Sequence, residues 1–193
     1  MRVIGITGGV GSGKSRVLKH LQEAYGAVIC QLDEVAKELQ RAGELCFERI
    51  TGMFGPSVVG ADGELDRQEL GRMVFGDVQK LMQLNAAVHP EVRRQVLRQI
   101  ADSRKNGTKL FVIESAILPT AGYEDICEEM WYIYTKESVR RERLKVSRGY
   151  SDERIDRMIA SQPGEEAFRN ICSKVIDNSG TFENTKEQIG ELL

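Results

Sequence analysis

Residues Val3-Ile4-Gly5-Ile6-Thr7 run directly into Gly8-Gly9-Val10-Gly11-Ser12-Gly13-Lys14-Ser15, after which Val17, Leu18 and Leu21 recur at helical spacing. The first stretch is short and rich in β-branched residues, as a buried parallel strand should be, so the order reads strand, glycine-rich turn, helix. The turn itself fits G-x-x-x-x-G-K-[ST], the pattern of a phosphate-binding loop in its proper context. Gly8, Gly9, Gly11 and Gly13 let the backbone curl so that successive N–H groups point inward, and the start of the following helix adds a partial positive charge. Together Gly9, Val10, Gly11, Ser12 and Gly13 are expected to cradle the β-phosphate of a nucleoside triphosphate. Lys14 brings a mobile charge to the β- and γ-phosphates, and the Ser15 hydroxyl suits a Mg²⁺ ion that keeps several waters.

Working outward, strand-like runs alternate with helical ones: Val3–Thr7, Ala27–Leu32, Leu110–Glu114, Met130–Thr135 and Val175–Asp177. Five such strands predict an α/β fold, a parallel sheet wound by helices with its ligands at the carboxyl ends of the strands. More than seventy residues separate the second run from the third, far more than a crossover needs, and they read as helices. This is an inserted helical region, in a position that commonly carries a second substrate. Within it Val92, Val96, Leu97 and Ile100 form one apolar stripe, and Asp66 with Glu69 reads as a capping box opening the run Leu70, Met73, Val74. Gly60 to Gly63 is a turn around Asp62-Gly63.

A second segment concentrates charge. Between Lys136 and Arg157 eight lysines and arginines face five acids, in a chain whose net charge is only −2. Arg140, Arg141, Arg143 and Arg148 are too many for simple capping, and planar guanidinium forks can hold the oxygens of a transferring phosphate, which predicts a lid over the triphosphate. The alternative is a solvated helix face paired with interleaved Glu137 and Glu142, the reading preferred for Arg140, Arg141 and Lys145; Arg143 and Arg148 are left as the phosphate contacts, a choice that leans on the resemblance given below.

With 193 residues the chain is expected to form one domain. Its core would be 1–33, 107–135 and 166–193, the helical acceptor-binding insertion 34–106 and the lid 136–165. The balanced charge offers no field for a polyanion, so nucleic acid is not an expected partner. Cys30, Cys46, Cys127 and Cys172 contain no C-x-x-C pair, which predicts neither a zinc site nor a disulfide framework but reduced, buried thiols. No apolar run has the length of a membrane span and the first strand leaves no room for a secretory signal, so the expected location is cytoplasmic, with no membrane partner. Nothing in the residues sets the oligomeric state; a monomer is compatible with all of them.

Several ordered motifs resemble the dephospho-coenzyme A kinase family. They are T-G-G-V-G-S-G-K-S (Thr7 to Ser15), D-E-V-A-K (Asp33 to Lys37), D-G-E-L-D-R (Asp62 to Arg67) and L-G-R-M-V-F (Leu70 to Phe75). His89-Pro90, Arg143-Leu144 with Arg148-Gly149, Gln162, and Val175-Ile176-Asp177-Asn178-Ser179-Gly180 continue the series. The resemblance implies a P-loop kinase fold and transfer of the γ-phosphate of ATP, with Mg²⁺, to the 3′-hydroxyl of the ribose of the small-molecule acceptor dephospho-coenzyme A. It implies that Asp33 sits beside that hydroxyl as base or orienting group, with a helix N-cap as its structural alternative. Arg67 and His89 would contact the acceptor; capping or packing is the ordinary alternative for a histidine before proline. Arg16 would complete the nucleotide-binding stretch and Asn178 would meet the adenine. The chain departs from the family pattern at Gln31-Leu32-Asp33 in place of D-A-D, at Arg16 for threonine and at Glu114 for aspartate. It departs again over Ser115 to Thr120, and at Cys172-Ser173.

Two other readings share some of these features. Another small-molecule kinase, for instance one acting on nucleoside monophosphates, would keep loop and lid without the ordered L-D-R, H-P and I-D-N-S-G set. A guanine-nucleotide switch would need N-K-x-D, which this sequence lacks.

Overall fold

The computed structural model describes residues 1–116, 118 and 122–193. They form two compact units, Met1–Cys30 with Ser103–Leu193, and Gln31–Asp102.

The first unit is built on a five-stranded parallel sheet of order β2-β3-β1-β4-β5. The strands are β1 Arg2–Thr7, β2 Val28–Gln31, β3 Leu110–Glu114, β4 Glu129–Tyr134 and β5 Lys174–Asp177. These match the five expected runs to within two residues at each end. The most apolar run, Leu110-Phe111-Val112-Ile113, is buried throughout because β3 has neighbours on both edges and cover on both faces. β1 occupies the centre, with Ile4 opposite Val112 on one side and Glu129 on the other. A Cβ on Gly5 would run into the Met130 sulfur and Leu118, so those side chains would have to shift. Helix α1, Lys14–Tyr25, buries Val17, Leu18 and Leu21 as their spacing predicts, and Gly26 stops it with a left-handed φ of 62°. This stripe joins Ile6, Trp131 and Ile133 of the sheet and Ile189 in a single core cluster.

In the second unit lie α2 Leu32–Leu39, α3 Leu45–Phe54, a 3₁₀ turn Pro56–Val58, α4 Arg67–Val74 and most of α5 Val78–Lys105. A bridge between Val59 and Leu65 closes the expected turn, in which Gly63 N–H donates to Gly60 O at 3.0 Å. Asp66 caps α4 by accepting from the N–H groups of Gln68 and Glu69 at 3.0 and 2.9 Å. The capping box is only half made. The Asp66 N–H is taken by Val58 O, and Glu69 turns instead to Arg72 at 2.8 Å. The apolar stripe of α5 also needs correction: Val92, Val96 and Ile100 are buried, but Leu97 is 45% exposed. Residues at i, i+4 and i+8 already make a complete inward row, and Leu97 lies about 100° round the helix from Val96.

Beyond β4 the first unit continues with α6 Glu137–Arg148, α7 Asp152–Ala160, α8 Glu165–Ile171 and, after β5, α9 Phe182–Leu192. Ser151 caps α7 and Thr181 caps α9 through their hydroxyls. Among the described residues no helix is long and apolar enough to cross a membrane. All four cysteines are free thiols. Cys30 and Cys46 are buried as expected, but Cys127 and Cys172 are half-buried, because each ends a helix or turn at the entrance to a strand. Burial pushes the thiols of Cys30, Cys127 and Cys172 up to about 12.

Candidate active site

The turn from Gly8 to Gly13 joins the carboxyl end of the central strand to α1. Gly13 sits at the N-cap with φ 86° and ψ 20°, and no side chain caps the helix. The first N–H groups of a helix have no carbonyl within it, so an uncapped start leaves them, with the helix dipole, directed at an anion. Gly8 and Gly11 are also demanded by close backbone neighbours. A Cβ on Gly8 would stand 2.6 Å from Ile133 O, one on Gly9 would strike the Arg140 guanidinium, and one on Gly11 would stand 2.9 Å from Arg140 O. The loop is therefore pressed between β4 and α6. Val10 is gripped at both ends of its residue: its N–H donates to Gln162 Oε1 at 2.7 Å, and its carbonyl accepts from Arg140 Nε at 2.8 Å.

Lys14 folds back over the loop, donating to Gly8 O at 2.5 Å, with its ammonium 3.7 Å from Glu114 Oε1. Glu114 ends β3 in register with Ile6, and its burial beside a lysine holds a carboxylate at the edge of the loop. Sequence reasoning saw Glu114 only as a departure from an expected aspartate. The available signal was a carboxylate closing a wholly apolar strand. The hydroxyls of Thr7 and Ser12 are buried without a hydrogen-bond partner. Orphaned buried hydroxyls beside a glycine-lined anion cradle fit a polyphosphate, whose oxygens would satisfy them. The exposed Ser15 hydroxyl, in the first turn of α1, can face a Mg²⁺ ion. Among the described residues no three His, Cys, Asp or Glu side chains cluster as a metal cage. Mg²⁺ fits nonetheless, since it takes most of its ligands from water and phosphate.

One arginine of α6 departs from the place its sequence suggested. Arg140, expected on a solvated face, is half-buried on the loop at Val10 and Gly9. The reason is rotation: Arg140 lies one turn before buried Leu144, on the side of α6 that faces the loop. Arg143 also reaches the loop region, donating to Asn178 O at 2.8 Å and approaching Ser12 O at 3.5 Å. Arg148 is exposed near the Tyr150 ring, and its hydrogen bond holds the Tyr150 phenol below its ordinary value. Arg141 and Lys145 are the solvated pair expected, bonded to Glu137 and Asp156 and to Asp152 respectively.

Arg16 does not turn toward the loop. Its guanidinium lies 4.0 Å over the Phe182 ring, while its N–H donates to Gly13 O at 3.1 Å. Asn178 likewise turns its side chain to the protein. Rather than presenting its amide to a base, it is 3% exposed and spends both side-chain atoms on the protein, at Ser12 O and the Thr185 hydroxyl.

Asp33, Arg67 and His89 belong to the second unit. Asp33 is exposed in the first turn of α2, whose N-cap is Gln31, so it is not the capping residue; its charge merely suits the helix start. Arg67 opens α4, exposed, with a 3.2 Å hydrogen bond to Gln40 Oε1. His89 is exposed in the middle of α5 directly before Pro90, neither capping nor packed. Of the divergent stretch Ser115 to Thr120, residues 117, 119 and 120 lie outside the described residues.

Comparison with known proteins covers nearly the whole chain. Residues 2–184 match the dephospho-CoA kinase family. The dephospho-CoA kinase of Carboxydothermus hydrogenoformans is 36% identical over 99% of this chain and 92% of its own, and that of Enterococcus faecalis is 35% identical over 100% and 96%. A crystal structure from Thermus thermophilus superposes with a TM-score of 0.83 at 32% identity, covering 99% of this chain and 95% of that one. A shikimate kinase from Bacteroides thetaiotaomicron, 14% identical with a TM-score of 0.55 over 99% and 96% of the two chains, shares the fold. The chain belongs to the dephospho-CoA kinase family.

Proposed function

We propose that this chain transfers the γ-phosphoryl group of Mg²⁺-bound ATP to the 3′-hydroxyl of the ribose of dephospho-coenzyme A, the last step of coenzyme A synthesis. The observation that carries the proposal is the glycine cradle with Lys14 and two orphaned hydroxyls, in a chain matched to the family over residues 2–184. Gly9 to Gly13 hold the β-phosphate through backbone N–H groups, and Lys14 follows the β- and γ-phosphates. Ser15, with Glu114 acting through water, would hold Mg²⁺, whose charge offsets that of the triphosphate oxygens. Arg143 and Arg148 add positive charge beside the equatorial oxygens, which carry the negative charge of the transition state.

In the reaction, the ribose O3′ forms a bond to the γ-phosphorus as the bond to the β-bridging oxygen breaks, and ADP leaves. The hydroxyl proton passes to Asp33, or to water while Asp33 holds the hydroxyl in line. Because the transition state is loose, alignment matters more than deprotonation. Arg67 and His89 bind the acceptor, within an insertion at 34–106, and the segment 136–165 acts as the lid. Arg140 and Gln162 set the loop's outer residue, Val10, rather than meeting solvent. The enzyme works in the cytoplasm on small molecules alone.

The direct test is an assay of purified protein with Mg·ATP and either dephospho-coenzyme A or nucleoside monophosphates. Coenzyme A should form in step with ADP, and only with Mg²⁺. ADP release indifferent to dephospho-coenzyme A would remove the acceptor assignment.

A further inference from the structure

The Ser12 carbonyl collects donors from three elements. Asn178 Nδ2 reaches it at 2.7 Å, Thr135 Oγ1 at 3.0 Å and Arg143 Nη1 at 3.5 Å. They are not equivalent. Thr135 has a single hydroxyl proton and lies still closer to Tyr134 O, at 2.8 Å, while the guanidinium stands at the limit of hydrogen bonding. Asn178 is therefore the partner that fixes this carbonyl.

The Asn178 amide is itself fixed. A carbonyl can only accept, so the nitrogen of the amide must face Ser12, and the Thr185 hydroxyl donates to the remaining oxygen at 2.9 Å. Asn178 and Thr185 are buried, and the Asn178 N–H is tied to Tyr134 O at 2.8 Å, anchoring the residue to the end of β4. Gly13 completes the arrangement: a side chain there would occupy the space of Asn178 Nδ2.

A trans peptide holds its C=O and N–H on opposite sides. Drawing Ser12 O toward Asn178 therefore turns the Gly13 N–H away from Asn178, toward the concave side of the loop. We propose that Asn178 is a positioning residue that aims the Ser12–Gly13 peptide at the nucleotide's β-phosphate, with Thr185 holding its amide, rather than a contact to the base. The proposal rests on the loop being the nucleotide site, but not on which acceptor is used.

The test measures Kd for Mg·ADP and Mg·GDP by calorimetry, without acceptor, for the wild type, Asn178→Ala, Asn178→Asp and Thr185→Val. Both Asn178 variants lack the donor and should lose about tenfold or more in affinity for each nucleotide, by the same factor, since the effect reaches the phosphates alone. Thr185→Val keeps shape and loses only the hydroxyl; a smaller loss, again equal for both nucleotides, is expected. A changed preference between ADP and GDP would mean that Asn178 reads the base, and would overturn the proposal. Lowered melting temperature with unchanged Kd would also overturn it, leaving a structural role. If the Asn178 variants do not fold, Thr185→Val decides: an unchanged Kd overturns the proposal. A wild type that binds nucleotide but does not phosphorylate dephospho-coenzyme A removes the acceptor reading and leaves this one standing, whereas a wild type that binds neither nucleotide removes both.

Discussion

The phosphate loop and the three side chains assigned to the acceptor are built in opposite ways. Around the loop the protein grips the backbone at several points, Val10 by Gln162 and Arg140, Gly8 O by Lys14 and Ser12 O by Asn178, while the Thr7 and Ser12 hydroxyls are left without a partner. Asp33, Arg67 and His89, in contrast, stand exposed on helix surfaces of the second unit. None of the three caps a helix or fills a core. The loop is thus preorganised by the fold, so its residues serve architecture and chemistry together, and a substitution there disturbs both. The acceptor candidates are nearly free of structural duty, so whatever their removal costs is a measure of function.

Lys14→Ala should strike hardest. It deletes the cation at the moving phosphoryl group while the backbone cradle stays, so kcat should fall on the order of 10³-fold or more, with a smaller loss in Mg·ATP affinity. Steady-state kinetics beside nucleotide titration separates the two; near-normal turnover would mean that the loop is not the catalytic site. Asp33→Asn sharpens the contrast from the other side. Because Asp33 is exposed and Gln31 holds the N-cap, the melting temperature should barely move; weakening the helix-start charge costs about 0.3–1 kcal/mol at most. A fall in kcat on the order of 10²- to 10⁴-fold is expected if the carboxylate accepts or orients the ribose hydroxyl. An unchanged kcat would remove Asp33 from the mechanism.

A third comparison lies within α6. Arg143→Ala and Arg148→Ala should lower kcat more than they weaken ATP binding, since their charge is needed most as the phosphoryl group moves. Arg140→Ala should instead raise the Kd for Mg·ATP by about tenfold, because the grip on Val10 is lost. Arg141→Ala should be the mildest, since its ion pairs with Glu137 and Asp156 are exposed and screened by solvent. Equal small effects at all four positions would return the whole segment to the role of a solvated face.

What could be read from the sequence was local. The strand before the loop, the glycines within it, the stripe of α1 and the Asp66 cap each depend on residues a few positions apart, and each formed as its spacing requires. What could not be read depended on which distant segment lies alongside. Arg140 and Arg141 are adjacent and chemically identical, yet one grips the loop and the other faces Asp156, a difference decided by the rotation of α6 against the loop. Asn178 was recognisable as important from its motif but not in its task, since nothing near it in sequence reveals Ser12 as its partner. Glu114 joined the site only through the pairing of β3 with β1.

The central position of β1 has a consequence for the life of the chain before it is an enzyme. Ile4 finds its neighbours at Val112 and Glu129, more than a hundred residues downstream, and the floor under Ser12 comes later still, from Asn178 and Thr185. During synthesis, at about 5–20 residues per second, the strand and glycine loop leave the ribosome on the order of ten seconds before the last of these partners. The loop motif is complete almost at once, but the contacts that fix its Ser12 carbonyl are among the last to form. A nascent chain halted before β5 would carry the entire phosphate-binding sequence without the Asn178 and Thr185 contacts that fix its Ser12 carbonyl.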